Sequence, residues 1–72
     1  MPESIQYMAY AYTDKQCRHE VTSALYADRK AAARALLAAY PNLMGAWTTR
    51  FNALGENTGM SLEHFTRHAL QN

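Results

Sequence analysis

The sequence predicts a small two-layer α+β domain ordered strand, strand, helix, strand, helix, with an Ala-rich helix packed on an antiparallel sheet. Three segments carry that expectation. Residues 5–12, IQYMAYAY, are rich in the aromatic side chains that favour strands. Residues 28–40, DRKAAARALLAAY, hold six alanines in thirteen positions and end against Pro41. Residues 46–54, AWTTRFNAL, combine Trp, Phe and two adjacent threonines, again strand formers. The alternative is an all-α fold, in which 28–40 and 46–54 are both helices and 41–45 joins them as a helix-turn-helix.

In the first strand, Ile5, Tyr7, Ala9 and Ala11 share one face and Met8, Tyr10 and Tyr12 the other. Both faces are semi-apolar, which suits a central strand or one whose second face meets a partner. Residues 13–16 are polar and suit a turn. Residues 17–26, CRHEVTSALY, alternate with Cys17, His19, Val21, Ser23 and Leu25 as the more apolar, inner set and Arg18, Glu20, Thr22, Ala24 and Tyr26 outside. A helix also fits this segment, with Thr13 as cap and Cys17, Val21, Ala24 and Leu25 on one face.

For the helix over 28–40, Asp28 is the expected side-chain cap, and Pro41 ends the run because its ring cannot follow a helical carbonyl. Ala32, Ala35, Leu36, Ala39 and Tyr40 form the expected inner stripe, with Leu37 at its edge. Alanine there lets the helix backbone approach the sheet closely without losing side-chain entropy. In the third strand, Trp47, Thr49, Phe51 and Ala53 oppose Thr48, Arg50 and Asn52. After a loop over 55–59, Ser61 is placed to cap a final helix over 61–70, with Leu62, Phe65, Ala69 and Leu70 inward and Arg67 and His68 near its C-terminal end.

Seventy-two residues make one domain, with 1–4 and 71–72 expected to fray. A hydrophobic fraction of 49% belongs to a folded chain, yet large aliphatics are few, so five tyrosines and one tryptophan must fill a core or a partner interface. A net charge of +1 without a basic block argues against a dedicated nonspecific nucleic-acid binder. One cysteine, Cys17, excludes an intrachain disulfide. No secretory leader pattern and no membrane-length apolar run is visible, so a cytoplasmic protein is expected.

Chemistry finds little foothold. Cys17, His19, His64 and His68 are the only metal-ligand candidates; His64 and His68 have good i,i+4 spacing for a helix, but Cys17 and His19 are not a standard ligand pair and there is no CxxC, so no metal and no cofactor is expected. Cys17 lacks an acid and base in a catalytic arrangement, no carboxylates pair at helical spacing, and the glycines form no phosphate loop. The expectation is therefore a non-enzymatic protein-interaction module. It would be an accessory, regulatory or inhibitory protein acting on a larger partner or by homodimerising, of the size often carried by phages and other mobile elements. Tyr10, Tyr12 and Trp47, with Arg50 as polar neighbour, are the expected partner-binding residues. Under the helix-turn-helix alternative the chain reads DNA through 46–54: Arg29, Lys30 and Arg34 would meet phosphates, and Thr48, Thr49, Arg50 and Asn52 would lie near the groove.

Overall fold

In the computed structural model, residues 5–58 and 62–70 are described. The termini expected to fray and the expected cap Ser61 lie outside them. The chain forms β1 (Gln6–Tyr12), β2 (Glu20–Thr22), α1 (Arg29–Ala39), β3 (Gly45–Phe51), β4 (Glu63–Thr66) and α2 (Arg67–Leu70). The strands make one antiparallel sheet in the order β2-β1-β3-β4. The fold is α+β, and because 45–51 is a strand, the second helix of a helix-turn-helix is missing.

The β1–β2 hairpin is closed by Asp14. Its Oδ1 accepts from the Arg18 amide at 2.8 Å and its Oδ2 from Arg18 Nε at 3.1 Å. The Cys17 backbone takes the left-handed conformation, φ 57°, that completes this turn. Strand pairing then covers only Glu20–Thr22, a shorter strand than 17–26. The reason is a bulge. Ser23, Ala24 and Leu25 lie opposite the two residues Met8 and Ala9, between the Tyr10–Thr22 pair and the Tyr7–Tyr26 bridge. Ser23 joins the gap, donating its amide to the Ala9 carbonyl and accepting the Ala9 amide on its hydroxyl, both at 2.9 Å. The extra residue switches faces, so Tyr26, expected outside, packs against the core. Leu25, expected inside, is exposed, as are Cys17 and His19.

From β2 the chain crosses through α1 to β3, which lies on the far side of β1. The helix therefore lies over β1 and β3. Its buried residues are Ala32, Ala33, Leu36 and Leu37. Ala39 and Tyr40, expected inside, are exposed, so the buried stripe is rotated toward Leu37. The rotation puts both large aliphatics of the helix into the core instead of one. Asp28 occupies the cap position with extended backbone, but its carboxylate makes no cap hydrogen bond. The core joins Ala32, Leu36 and Leu37 to Ala9, Ala11 and Ala46, with Val21, Tyr26, Leu43 and Leu70 at its margin.

The expected helix over 61–70 is a correction. Residues 63–66 form β4, paired with β3 through Ala46–Phe65 and Trp47–His64, and only Arg67–Leu70 is helical. The apolar spacing of Leu62, Phe65 and Ala69 suits a helix, but the unpaired edge of β3 offers a ladder of backbone hydrogen bonds that overrides it. Arg67 then fastens the end of the chain. Its guanidinium donates to the carbonyls of Leu37 (2.8 Å), Tyr40 (3.2 Å) and Leu43 (3.0 Å). A cation thus satisfies carbonyls at the C-terminal end of α1 where the helix leaves them open.

Candidate functional site: the open face of the sheet

Both described helices leave one face of the sheet uncovered, and the molecule is only 18 Å thick in its shortest dimension. Along β1 the alternation puts Tyr7, Ala9 and Ala11 toward α1, and Met8, Tyr10 and Tyr12 on the open face. Along β3 it puts Ala46, Thr48 and Arg50 toward α1, and Trp47, Thr49 and Phe51 on the open face. Register then lines up Thr22, Tyr10, Trp47 and His64, one from each strand, in a row across the whole sheet.

The rings in this row touch. Tyr10 and Trp47 are stacked with centroids 6.2 Å apart and 25° between planes, and Trp47 meets His64 at 4.7 Å. Gly45 makes the second contact possible. A Cβ there would lie 2.9 Å from His64 Nε2 and 2.7 Å from the Phe65 carbonyl oxygen, so only glycine leaves room for the imidazole beside Trp47. Trp47 remains 37% exposed despite both neighbours.

Beside this row lies a depression of about 260 Å³ lined by Met8, Tyr10, Tyr12, Glu20, Thr49 and Asn57. Glu20 stands directly across from Tyr12. The Glu20 carboxylate beside it pushes the Tyr12 phenol above its ordinary value, by hydrogen bonding first and by its charge second. Burial, then the same carboxylate's charge, raises Tyr10. Thr49 donates its hydroxyl to Asn57 Oδ1 at 2.9 Å and is buried beneath it.

Tyr10, Tyr12 and Trp47 are therefore brought together. Arg50 is not with them, for it pairs with Tyr7 and shares the helix side. The residues proposed for DNA are scattered. Arg29 lies under the sheet edge, its guanidinium 4.6 Å over the Tyr7 ring and 3.8 Å from Glu63 Oε2, and Nη1 donates to Thr48 Oγ1 at 3.4 Å. Thr48 is fully buried and donates to the Glu63 carbonyl, Thr49 is buried on the opposite face, and only Lys30 and Arg34 are exposed on α1. Asn52 builds the turn after β3, its Oδ1 accepting from the Leu54 and Glu56 amides at 3.0 Å each. Gly55 supplies the φ of +80° that this turn requires. Cys17 and His19 sit at the hairpin, His64 on β4 and His68 on α2. Among the described residues no three His, Cys, Asp or Glu side chains are grouped to hold a metal.

The chain matches no family model, no curated protein and no solved structure.

Sequence reasoning missed His64 and Glu20. Period-two alternation placed Glu20 on the outer set with Thr22, which was the available signal. For His64 the signal was hidden by the helical spacing of 61–70.

Among the described residues, no helix is long and apolar enough to cross a membrane.

Proposed function

We propose that the chain is a non-enzymatic protein-interaction module that docks a protein partner on the open face of its sheet. The observation that carries this reading is the cross-strand row Thr22–Tyr10–Trp47–His64, which leaves large rings facing outward on a fold with few large buried residues. Aromatic side chains give rigid contact area and little entropy to lose, the property that concentrates binding energy at protein interfaces. Stacked rings also suit unpaired bases. That use requires cations for the phosphates, and the described residues of this face include no Lys or Arg and one carboxylate, Glu20. An accessory, regulatory or inhibitory role follows from a partner's surface being occupied. The exposed, unpaired Cys17 suits a reducing, cytoplasmic setting.

The test compares wild type with Trp47→Ala, after circular dichroism has shown both folded. Light scattering over a wide concentration range reports self-association, and affinity capture from the source cell reports a foreign partner. The expected result is a dimer or a captured protein that Trp47→Ala loses. A monomer whose captured proteins are unchanged by Trp47→Ala would defeat the reading.

A further inference from the structure

The depression beside the aromatic row has a definite chemical character. Two phenol rings, Tyr10 and Tyr12, stand two residues apart on one strand face. Glu20 supplies a full negative charge at the rim. Thr49, Asn57 and the Met8 thioether complete the lining. No cation lines it. Arg18, two residues before Glu20, is tied to Asp14 at 3.1 Å, and Arg29 lies on the helix side over Tyr7.

Every permanent charge and quadrupole here favours a positive guest. A ring face attracts a cation, more strongly when water is partly displaced. The carboxylate is placed beside the rings by strand pairing, since Glu20 stands directly across from Tyr12. A guanidinium can lie flat on a phenol ring and give two parallel N–H groups to a carboxylate, whereas an ammonium meets both ring and carboxylate as a point charge, without the planar stack or the paired fork.

We propose that this depression receives an arginine side chain from the partner, stacked on Tyr10 and Tyr12 with Glu20 as its counter-ion. The assignment rests on the open face being the docking face and names what is recognised there. Trp47 and His64, next in the row, carry the flanking apolar contact. The partner segment is thus basic at one position and apolar beside it.

The test uses the full chain and three short capped peptides of the same sequence, carrying Arg, Lys or Gln at one central position. Binding is followed by backbone and side-chain NMR shifts and by Trp47 fluorescence. The arginine peptide is expected to give saturable shifts concentrated at Met8, Tyr10, Tyr12, Glu20, Thr49 and Asn57. The lysine peptide should bind several-fold more weakly, and the glutamine peptide should not saturate. Glu20→Gln should weaken the arginine peptide about tenfold, the equivalent of about 1.4 kcal/mol. Ala38→Ser, on the exposed side of α1 and across the sheet from the depression, should leave binding unchanged. Glu20 is exposed on a three-residue edge strand, so the variant is expected to fold, with unchanged circular dichroism as the check. Equal binding of the Arg and Gln peptides, or equal affinity in Glu20→Gln, would overturn the assignment. So would peptide-free shifts of these same residues that grow with protein concentration; a second copy would then be the occupant, and the docking face itself would stand. If Trp47→Ala leaves partner capture and mass unchanged while the arginine peptide still binds, the interface reading fails and the arginine site survives it.

Discussion

Against α1 the sheet presents Ala9, Ala11, Ala46 and Thr48, whereas on the other side it presents Met8, Tyr10, Tyr12, Trp47 and Phe51. The helix-covered face also carries Tyr7 and Arg50, but its buried side chains, Ala9, Ala11, Ala46 and Thr48, are too small to hold a helix away, and the largest fully buried side chains described are Thr48 and, from α1, Leu36. The open face carries most of the sheet's ring surface and has nothing described above it. An ordinary two-layer domain places its bulk between the layers. Here closeness replaces bulk on the inside, and the bulk is spent outward. The inner face accordingly governs whether the chain folds, and the outer face governs what it meets.

Substitutions can break that division or sharpen it. The largest effect is expected at Leu36. Leu36→Ala should cost about 2–5 kcal/mol, against a total stability of roughly 4–11 kcal/mol for a chain of this length, and thermal unfolding should show a domain near or past its limit. Arg67→Met comes next. It leaves the carbonyls of Leu37, Tyr40 and Leu43 without their charged donor and should cost about 2–3 kcal/mol in denaturant titration. Gly45→Ala should cost about 1–3 kcal/mol, because the new methyl meets the Phe65 carbonyl and displaces the imidazole. The His64 ring-current shifts caused by Trp47 should disappear with it. By contrast Trp47→Ala, the largest deletion of all, should cost only about 1 kcal/mol, since its ring contacts with Tyr10 and His64 are cross-strand pairs on the open face. A loss at Trp47 matching that at Leu36 would erase the distinction between the faces.

The smallest expected effect is at the hairpin. Burial raises the Asp14 carboxyl, but the hydrogen bonds from the Arg18 amide and guanidinium and from the His19 amide outweigh it and hold it below its ordinary value. Its contribution to folding is therefore complete above its unfolded pKa of about 3.9 and is lost as pH falls through the lower folded value. Amide protection factors at Arg18 and His19, corrected for the intrinsic exchange rate, should fall below about pH 4, with the open face unaffected.

The sequence was clearest where local chemistry decided the outcome. Pro41 ends the Ala-rich helix wherever that helix packs, and the alternation expected over 5–12 and 46–54 held for 6–12 and 46–51, where both strands lie inside the sheet, while 52–54 leave it for the turn built by Asn52. It was misleading where distant partners decided. Residues 63–66 have helical spacing but face the open edge of β3, and one unpaired residue in 23–25 reversed the faces of Leu25 and Tyr26. The rings of the candidate site were legible as strand aromatics. Their meeting with His64 was not, because it depends on register between strands far apart in the chain, and the pairing of Glu20 with Tyr12 depends on the shape of the hairpin turn around Asp14 and Cys17.

Arg67 also bears on the order in which the molecule assembles. The carbonyls it holds lie 24 to 30 residues earlier in the chain, so the contact closes a long loop that nothing local repays. It needs α1 already ended and β4 already paired with β3, so we expect it at a late stage. Losing it should hasten unfolding far more than it slows folding, so the two arms of a chevron plot should respond unequally. The last described turn of the chain then acts as a latch on kinetics: the hairpin and helix set how quickly the native state is reached, and a single side chain near the C-terminus sets how long it lasts.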